Sequence, residues 1–148
     1  MKINVVLVIL IIVLIPTSSQ AQVLEDYLWK NRVLIVKTDQ EDNQLYKTQL
    51  QELTRDKQGL IERKLVLFFK TDKALNIKDY STSQQIEDTI NVNDSDAILQ
   101  VLNSEFEVIL IGLDGSIKLR QNQFLPLEEL FRIIDSMPMR QSEIRSKK

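Results

Sequence analysis

The chain has 148 residues, of which 43% are hydrophobic and 27% charged, with a formal net charge of −2. This composition is typical of one folded domain, and it lacks the basic character that nucleic-acid binding requires. The absence of cysteine and histidine excludes disulfides, thiol chemistry and Cys-based zinc sites, and it removes the commonest general base and metal ligand. We therefore predict no cofactor, no metal site and no nucleic-acid partner.

The first 21 residues have the pattern of a secretory signal peptide. Lys2 precedes an unbroken apolar run, Val5–Ile15, which Pro16 ends, and Ser19–Ala21 provides a small-x-small cleavage site. We predict cleavage after Ala21, a secreted or periplasmic location, and no stable membrane insertion once the signal is removed. An uncleaved anchor is the alternative, although the run is shorter than the roughly 20 residues that a spanning helix needs.

Two short apolar runs, Arg32–Lys37 and Leu65–Lys70, lack polar alternation and predict strands that are buried on both faces. We expect the first at the centre of the sheet and the second in an outer position. Before them, Val23–Lys30 is interpreted as an amphipathic turn that leads into the sheet. We place Trp29 in the core, since a lone Trp in a small domain is mostly buried; a ligand-stacking Trp is the alternative.

A helix is predicted between these strands, from about residue 43 to 55, and Gly59 ends or interrupts it. Strand, helix and strand at this spacing form a β-α-β unit with parallel strands. The apolar face of the helix is predicted to contain Leu45, Tyr46, Leu50 and Leu53. Three acids precede the helix, Asp39, Glu41 and Asp42, and we interpret them as capping residues. The alternative is a catalytic carboxylate pair near Tyr46 or Lys37.

The polar segment Thr71–Asn93 has no clear periodicity, and we predict a long, partly ordered connection that is a candidate contact surface. Asn91–Asp96 resembles part of a calcium loop, but Asp96 stands where glycine is required and Leu102 where the bidentate Glu is required. We interpret this segment as the cap of a short helix that contains Ile98, Leu99, Val101 and Leu102.

Residues Phe106–Arg120 predict a β-hairpin. Its first strand is apolar on both faces and belongs inside the sheet, whereas the return strand alternates Ile117 and Leu119 with polar residues, as expected at an edge. Asp114-Gly115 is a dipeptide that favours a type I′ turn, in which both central residues have positive φ. We assign Asp114 to the turn rather than to a metal site.

A last helix is predicted over Leu127–Met137, opened by Pro126 and stopped by Pro138. Its buried face is predicted to contain Leu127, Leu130, Phe131, Ile134 and Met137. The remaining residues, Arg140–Lys148, are mostly charged and predict a frayed, solvated tail; contact with an anionic surface is the alternative. The chain thus divides into a signal peptide (1–21), one domain (22–140) and a charged tail (141–148).

Together these elements predict an α/β fold, the minimal thioredoxin-like arrangement of a four-stranded mixed sheet in the order 2-1-3-4 with helices on both faces. The segments Phe106–Arg120, Phe124–Arg140 and Arg32–Val36 resemble a thioredoxin-like domain family of unknown function. That family occurs in small secreted bacterial proteins and in animal extracellular-matrix proteins, including sushi-repeat proteins. The resemblance extends from about Leu24 to Arg140 and implies no catalytic residues.

Redox-active thioredoxins carry paired cysteines after the first strand, where this chain has Asp39–Asn43, and a cis-proline before the hairpin, where it has Asn103–Glu105. Both parts of the redox machinery are missing from the sequence. We therefore expect a non-catalytic binding or adhesion module rather than an enzyme, secreted or periplasmic. We expect it to bind an unknown protein or a cell-surface or matrix partner through a sheet edge or the 71–93 connection. A carboxylate-based hydrolase, with its site near the start of the first helix, is the alternative.

Overall fold

A mixed β-sheet forms the centre of the computed structural model, which describes residues 23–81, 88–90 and 105–147. The predicted signal peptide, the Asn91–Asp96 segment and the predicted short helix around Ile98 lie outside the described residues. A 3-10 turn, Glu25–Tyr27, precedes the sheet. The elements that follow are β1 (Arg32–Lys37), α1 (Gln44–Leu53), α2 (Lys57–Glu62), β2 (Leu65–Lys70), β3 (Leu75–Lys78), β4 (Asp88–Ile90), β5 (Glu107–Ile111), β6 (Ile117–Gln121), α3 (Leu127–Asp135) and α4 (Pro138–Ser146).

Five strands of four to six residues, together with the three-residue β4, form the sheet in the order β4-β3-β2-β1-β5-β6. β1 and β2 are parallel, with Arg32 opposite Leu65, and the other neighbouring pairs are antiparallel. The four predicted strands therefore lie in the expected order, β2-β1-β5-β6. β1 and β5 are interior strands, and β6 forms one edge, also as predicted.

β2 is not an outer strand, and that prediction is wrong. The polar segment after it contains β3, in which Leu75 and Ile77 are buried and alternate with the half-buried Asn76 and Lys78. The prediction of a long, partly ordered connection over Thr71–Asn93 did not include strands, and β3 and β4 extend the sheet beyond β2. An alternation of four residues among charged neighbours is too short a signal to predict a strand.

Alternating side chains of the strands form two apolar cores, one on each face of the sheet. The first contains Leu34 and Val36 of β1, and helices α1, α2 and α3 pack against it. The helices contribute Tyr46, Leu53, Leu60, Leu127, Leu130 and Ile134. The second contains Val33 and Ile35 and packs, within the described residues, against Val23, Leu24 and Tyr27. Helices α1 to α3 thus cover one face, whereas within the described residues the segment around the 3-10 turn packs on the other face, where helices were also predicted.

The buried face of α1 differs from the prediction at two positions. Leu45 is 44% exposed, and Gln49 is fully buried in its stead. The Gln49 amide exchanges two hydrogen bonds with the backbone of Leu125, at 2.9 and 2.8 Å, which satisfy its donor and acceptor away from water. A buried Gln joined to the chain 76 residues later leaves no periodic signal in the sequence.

Gly59 neither ends nor interrupts the first helix. α1 ends at Leu53, and Asp56 caps a separate helix, α2, through a hydrogen bond to the Gly59 N–H at 2.8 Å. Glycine is required here for packing, because a Cβ at this position would lie 2.6 Å from the ring of Phe131. The glycine is therefore a helix–helix contact rather than a helix terminator.

Pro138 ends the stretch predicted as the last helix, but it also begins α4, as its position in a first helical turn allows. The prediction of a frayed tail is wrong, because two buried arginines bind this helix to the domain. Arg140 is 1% exposed and lies 3.0 Å from Asp135. Arg32 of β1 is fully buried and lies 3.3 Å from Glu143. The charged composition of this segment had predicted a solvated tail, whereas the structure places two of its ion pairs in the interior.

The hairpin between β5 and β6 does not have the predicted type I′ turn. Gly115 has a φ of 75°, whereas Asp114 does not have a positive φ. The Gly115 N–H donates to the Gly112 carbonyl at 3.0 Å, and the Gly112 N–H donates to the Ser116 carbonyl at 2.9 Å. This is the pattern of a type I turn followed by a left-handed glycine, and it brings a bulge in the register at Ile111.

Candidate functional site

The acids that the sequence singles out lie just after the C-terminal end of β1. A cavity of about 450 Å³ there is lined by Asp39, Gln40, Glu41, Asp42, Asp72 and Lys73. We call this region the strand-end site. These residues meet because β1 and β2 are adjacent and parallel, so the segments that follow them leave the sheet at the same edge.

The capping interpretation of the acids is wrong. The residue that caps α1 is Asn43, whose side chain accepts a hydrogen bond from the Tyr46 N–H at 3.1 Å. Asp39 is half-buried, and its Oδ1 has no hydrogen-bond partner within the part of the chain that the structure describes. The side chain of Glu41 is 60% exposed and approaches Lys73 only to 3.9 Å. Glu41 therefore lies largely in solvent and is only loosely paired.

The two side chains predicted to assist a catalytic carboxylate are not available for that role. Burial, and to a lesser extent the charge of Glu41, raise the pKa of Tyr46 to about 12, so the phenol keeps its proton. Lys37 is 2% exposed and lies 2.6 Å from Glu107 of β5. Among the described residues, no three acids are grouped as a metal site would require. This geometry does not support the hydrolase hypothesis.

Exposed apolar side chains concentrate at the opposite end of the sheet. Within the described ranges, four of the five large hydrophobic side chains that are exposed surround the turn between β5 and β6: Leu28, Trp29, Ile117 and Met139. The fifth, Leu45, lies on α1. We call these four residues, with the cavity beside them, the hairpin-end surface. Grouped exposure of this kind is a mark of interaction sites, whereas scattered single hydrophobics are ordinary.

Trp29 is the largest of these side chains and is 63% exposed, so the prediction that it belongs to the core is wrong. Its backbone has a φ of 62°, a left-handed conformation that a bulky residue rarely adopts. Its N–H donates to the Leu113 carbonyl at 2.8 Å, which ties this backbone to the hairpin. Tyr27 takes the position against the sheet, with its ring 5.2 Å from that of Phe68 in an edge-to-face arrangement.

The sequence did contain a signal for this exposure. Tyr27, Leu28 and Trp29 are consecutive, and three consecutive side chains of a helical turn cannot all face the same side. Since β1 begins at Arg32, too few residues follow Trp29 for the chain to fold back and bury all three side chains. At least one large apolar side chain was therefore bound to face solvent.

An apolar cavity of about 340 Å³ opens beside Leu28. The sheet contributes Val33 and Ile111 to it, and the N-terminal segment contributes Leu24 and Tyr27. The rest of the lining is polar or backbone: Glu25, Asn31, Gly112, Asp114 and Gly115. A mostly apolar wall with a few polar groups is the usual composition of a ligand pocket, and this volume is at the lower end of their range.

The hairpin turn forms one wall of this cavity. Hydrogen bonds from Lys118, and then from Ser116, lower the pKa of Asp114 to about 2, so it is a carboxylate at every physiological pH. The Lys118 Nζ lies 2.9 Å from its Oδ2. The neighbouring Gly115 leaves space for Leu28, because a Cβ there would lie 2.9 Å from the Leu28 Cδ1. Asp114 was predicted to serve the turn, and it also lies at the rim of the cavity.

The fold and these surfaces define a small mixed α/β domain with an apolar surface at one end of its sheet. The chain belongs to the family described as a domain of unknown function (DUF4174), whose model matches residues 23–143. The match begins with the segment that lines the cavity and ends at Glu143, the partner of Arg32. A comparison with curated proteins finds no match. None of the helices in the described residues is both long enough and apolar enough to cross a bilayer.

Proposed function

We propose that this protein is a secreted or periplasmic, non-catalytic binding module that recognises a protein or cell-surface partner through its hairpin-end surface. The observation that carries the proposal is Trp29, which is 63% exposed beside an apolar cavity. Tryptophan is among the residues most enriched at the energetic centres of interfaces. The left-handed backbone of Trp29 and the exposure of its side chain both cost the free domain stability. Backbone strain of this kind is concentrated at functional sites.

The choice of this surface departs from the sheet edge and the 71–93 connection that the sequence favoured. The outer strand β6 carries Lys118 and Arg120, and both are engaged in ion pairs, with Asp114 and Glu107. Charged side chains of this kind oppose pairing with a further strand. The hairpin-end surface, by contrast, combines exposed apolar groups with a concave site.

The non-catalytic part of the proposal is supported by the chemistry of the chain. It has no histidine or cysteine, and at the strand-end site Glu41 is largely exposed and approaches Lys73 only to 3.9 Å. The thioredoxin-like part is supported by the order of β2, β1, β5 and β6 and by their mixed directions. If the purified protein hydrolysed a substrate and the Asp39→Asn variant did not, that result would contradict the non-catalytic role.

The binding role is tested by crosslinking on intact cells that display the protein, followed by mass spectrometry of the captured partner. Three proteins are compared: the wild type, Trp29→Ser and Leu45→Ser. Both substitutions remove an exposed hydrophobic side chain, but only position 29 lies on the hairpin-end surface. We expect the crosslinked partner to be lost with Trp29→Ser and kept with Leu45→Ser. Capture that is unchanged by Trp29→Ser would contradict the proposal.

Export is tested by the intact mass of the protein recovered outside the cytoplasm. Cleavage after Ala21 predicts a chain that begins at Gln22. The mass of the full 148-residue chain, found only in the membrane or cytoplasmic fraction, would contradict the proposed signal peptide. The crosslinking assay thus tests the binding role, and the mass measurement tests export.

A further inference from the structure

The cavity of the hairpin-end surface has an acidic lining. Its carboxylates are Glu25 and Asp114, and no Lys or Arg side chain lines it. Asp26, next to Glu25 on the same 3-10 turn, is exposed. Neither Glu25 nor Asp26 makes an ion pair within the described part of the chain. Lys118 neutralises part of the charge of Asp114, so among the described residues Glu25 is the carboxylate of the lining without an ion pair, and Asp26 adds a second exposed carboxylate next to it.

The size and surroundings of the cavity favour a side chain of a protein partner over a free small molecule. Its volume of about 340 Å³ suits one aromatic or large aliphatic side chain with its neighbouring backbone. Trp29, Ile117 and Met139 are exposed around the same turn, outside the lining of this cavity. A ligand confined to the cavity would leave these side chains in water, whereas a peptide that crosses the turn would cover them.

We infer that the hairpin-end surface binds a protein segment in which an apolar anchor side chain is flanked by Lys or Arg. The anchor enters the cavity between Leu28 and Ile111, and the basic flanks lie against Glu25 and Asp26. A basic flank is also favoured by Trp29, since ammonium and guanidinium groups are attracted to an exposed indole face. This inference rests on the proposed binding function and adds the chemistry of the partner.

Trp29 provides the measurement, because it is the only tryptophan of the chain and lies at the edge of the site. The probes are three synthetic heptapeptides without tryptophan. One has a central Phe flanked by lysines, one has the same Phe flanked by glutamates, and one has Ala between the lysines. Each is titrated into the purified protein at low ionic strength while Trp29 emission is recorded.

We expect the Lys-flanked Phe peptide to shift Trp29 emission to the blue with a saturable curve. The Glu-flanked peptide should bind at least about fivefold more weakly, the factor that one exposed ion pair can supply, and the Ala-centred peptide should bind too weakly to saturate. Added salt should weaken the first peptide, because the charges involved are exposed.

A matched pair of charge reversals tests the assignment to this end of the sheet. Glu25→Lys and Glu41→Lys make the same change at exposed positions, but they lie before and after β1, about 20 Å apart. Glu25→Lys should weaken the Lys-flanked peptide about fivefold, and Glu41→Lys should leave it unchanged. Equal effects of the two substitutions, or equal binding of the Lys- and Glu-flanked peptides, would overturn the inference.

Two further outcomes also overturn it. If no peptide gives a saturable change, the surface does not take a basic apolar segment. If Trp29 emission changes with protein concentration alone, a second copy of the chain covers the surface instead. The proposed binding function has its own test, since a partner captured on cells in a Trp29-dependent way would stand even where these peptides fail.

Discussion

Replacing Trp29 by glycine should have almost no effect on the stability of the domain, although loss of a core tryptophan is among the most damaging substitutions known. The reason is the backbone at this position, whose φ is 62°. A left-handed conformation disfavours any residue with a Cβ by about 1–2 kcal/mol. Glycine has no such penalty, so Trp29→Gly releases this strain in the folded state.

The opposing loss follows from burial. Trp29 is 63% exposed, so roughly a third of the ~150–250 Å² that an aromatic side chain can bury is removed from water. At about 25 cal/mol per Å² this corresponds to ~1–2 kcal/mol. Relief of strain and loss of burial thus nearly cancel, and we expect a net change in unfolding free energy within about 1 kcal/mol. A buried Trp replaced by Ala would lose about 3–5 kcal/mol.

Urea unfolding followed by far-UV circular dichroism measures this difference without needing the tryptophan signal. Leu34→Ala serves as the control, since Leu34 is fully buried in β1 and its truncation should destabilise by about 2–5 kcal/mol. A loss of more than about 3 kcal/mol in Trp29→Gly would refute the reasoning. It would mean that Trp29 packs as a core residue, as the sequence had suggested.

Three further predictions concern the packing and charge of the domain. Arg140→Met should lower the unfolding free energy by about 2–3 kcal/mol in urea titrations. The loss is smaller than for a fully buried ion pair because the acids that lose their partner, Glu62 and Asp135, are partly exposed. The control Arg145→Met, at an exposed position, should leave the unfolding free energy nearly unchanged. Gly59→Ala should destabilise by about 1–3 kcal/mol despite the better helix propensity of Ala, since its Cβ would meet the Phe131 ring; a gain in melting temperature would contradict this packing. The pKa of Asp114 is lowered from 3.8 to about 2 by Lys118 and Ser116, so its carboxylate stabilises the fold above pH 3.8 and this contribution is lost as the pH falls towards 2. Over that interval the unfolding free energy of Asp114→Asn should therefore fall less than that of the wild type. Equal losses would show that this carboxylate does not contribute to stability.

The central strands were predictable because their signal is local and strong. Arg32–Lys37 and the first strand of the hairpin are apolar on both faces, a pattern that few structures other than an interior strand accommodate. Once these two were placed, the β-α-β crossover from β1 and the short turn after β5 gave the positions of β2 and β6 beside them. The strand that was not predicted, Leu75–Lys78, has the alternation of a half-buried strand but is only four residues long.

The C-terminal helix and the buried arginines show a different limit. Charge in a sequence indicates solvation by default, and nothing local distinguishes Arg140, which is 1% exposed, from Arg145, which is exposed. The difference lies in partners brought from other elements, such as Asp135 at the end of α3. Ion pairs between distant residues cannot be predicted from periodicity or composition.

The candidate site was misplaced for a related reason. The acids at the strand-end site suggested chemistry because of their type and position in the fold. In the structure Glu41 is largely exposed, and Lys37 is paired with Glu107 instead. Trp29 was assigned to the core from its usual behaviour in small domains, whereas one left-handed φ turns it outward. The consecutive run Tyr27, Leu28 and Trp29 was the feature of the sequence that indicated an exposed hydrophobic side chain.

The most direct test of the hairpin-end surface places a photo-crosslinking amino acid at position 29 or, as the control, at position 45 of the exported protein. Both positions are exposed, at 63% and 44% for the native residues, so both probes reach solvent. Irradiation of intact cells should yield a discrete partner adduct from position 29 and none from position 45. An adduct from position 45 alone, or none from either position, would contradict a binding role for this surface.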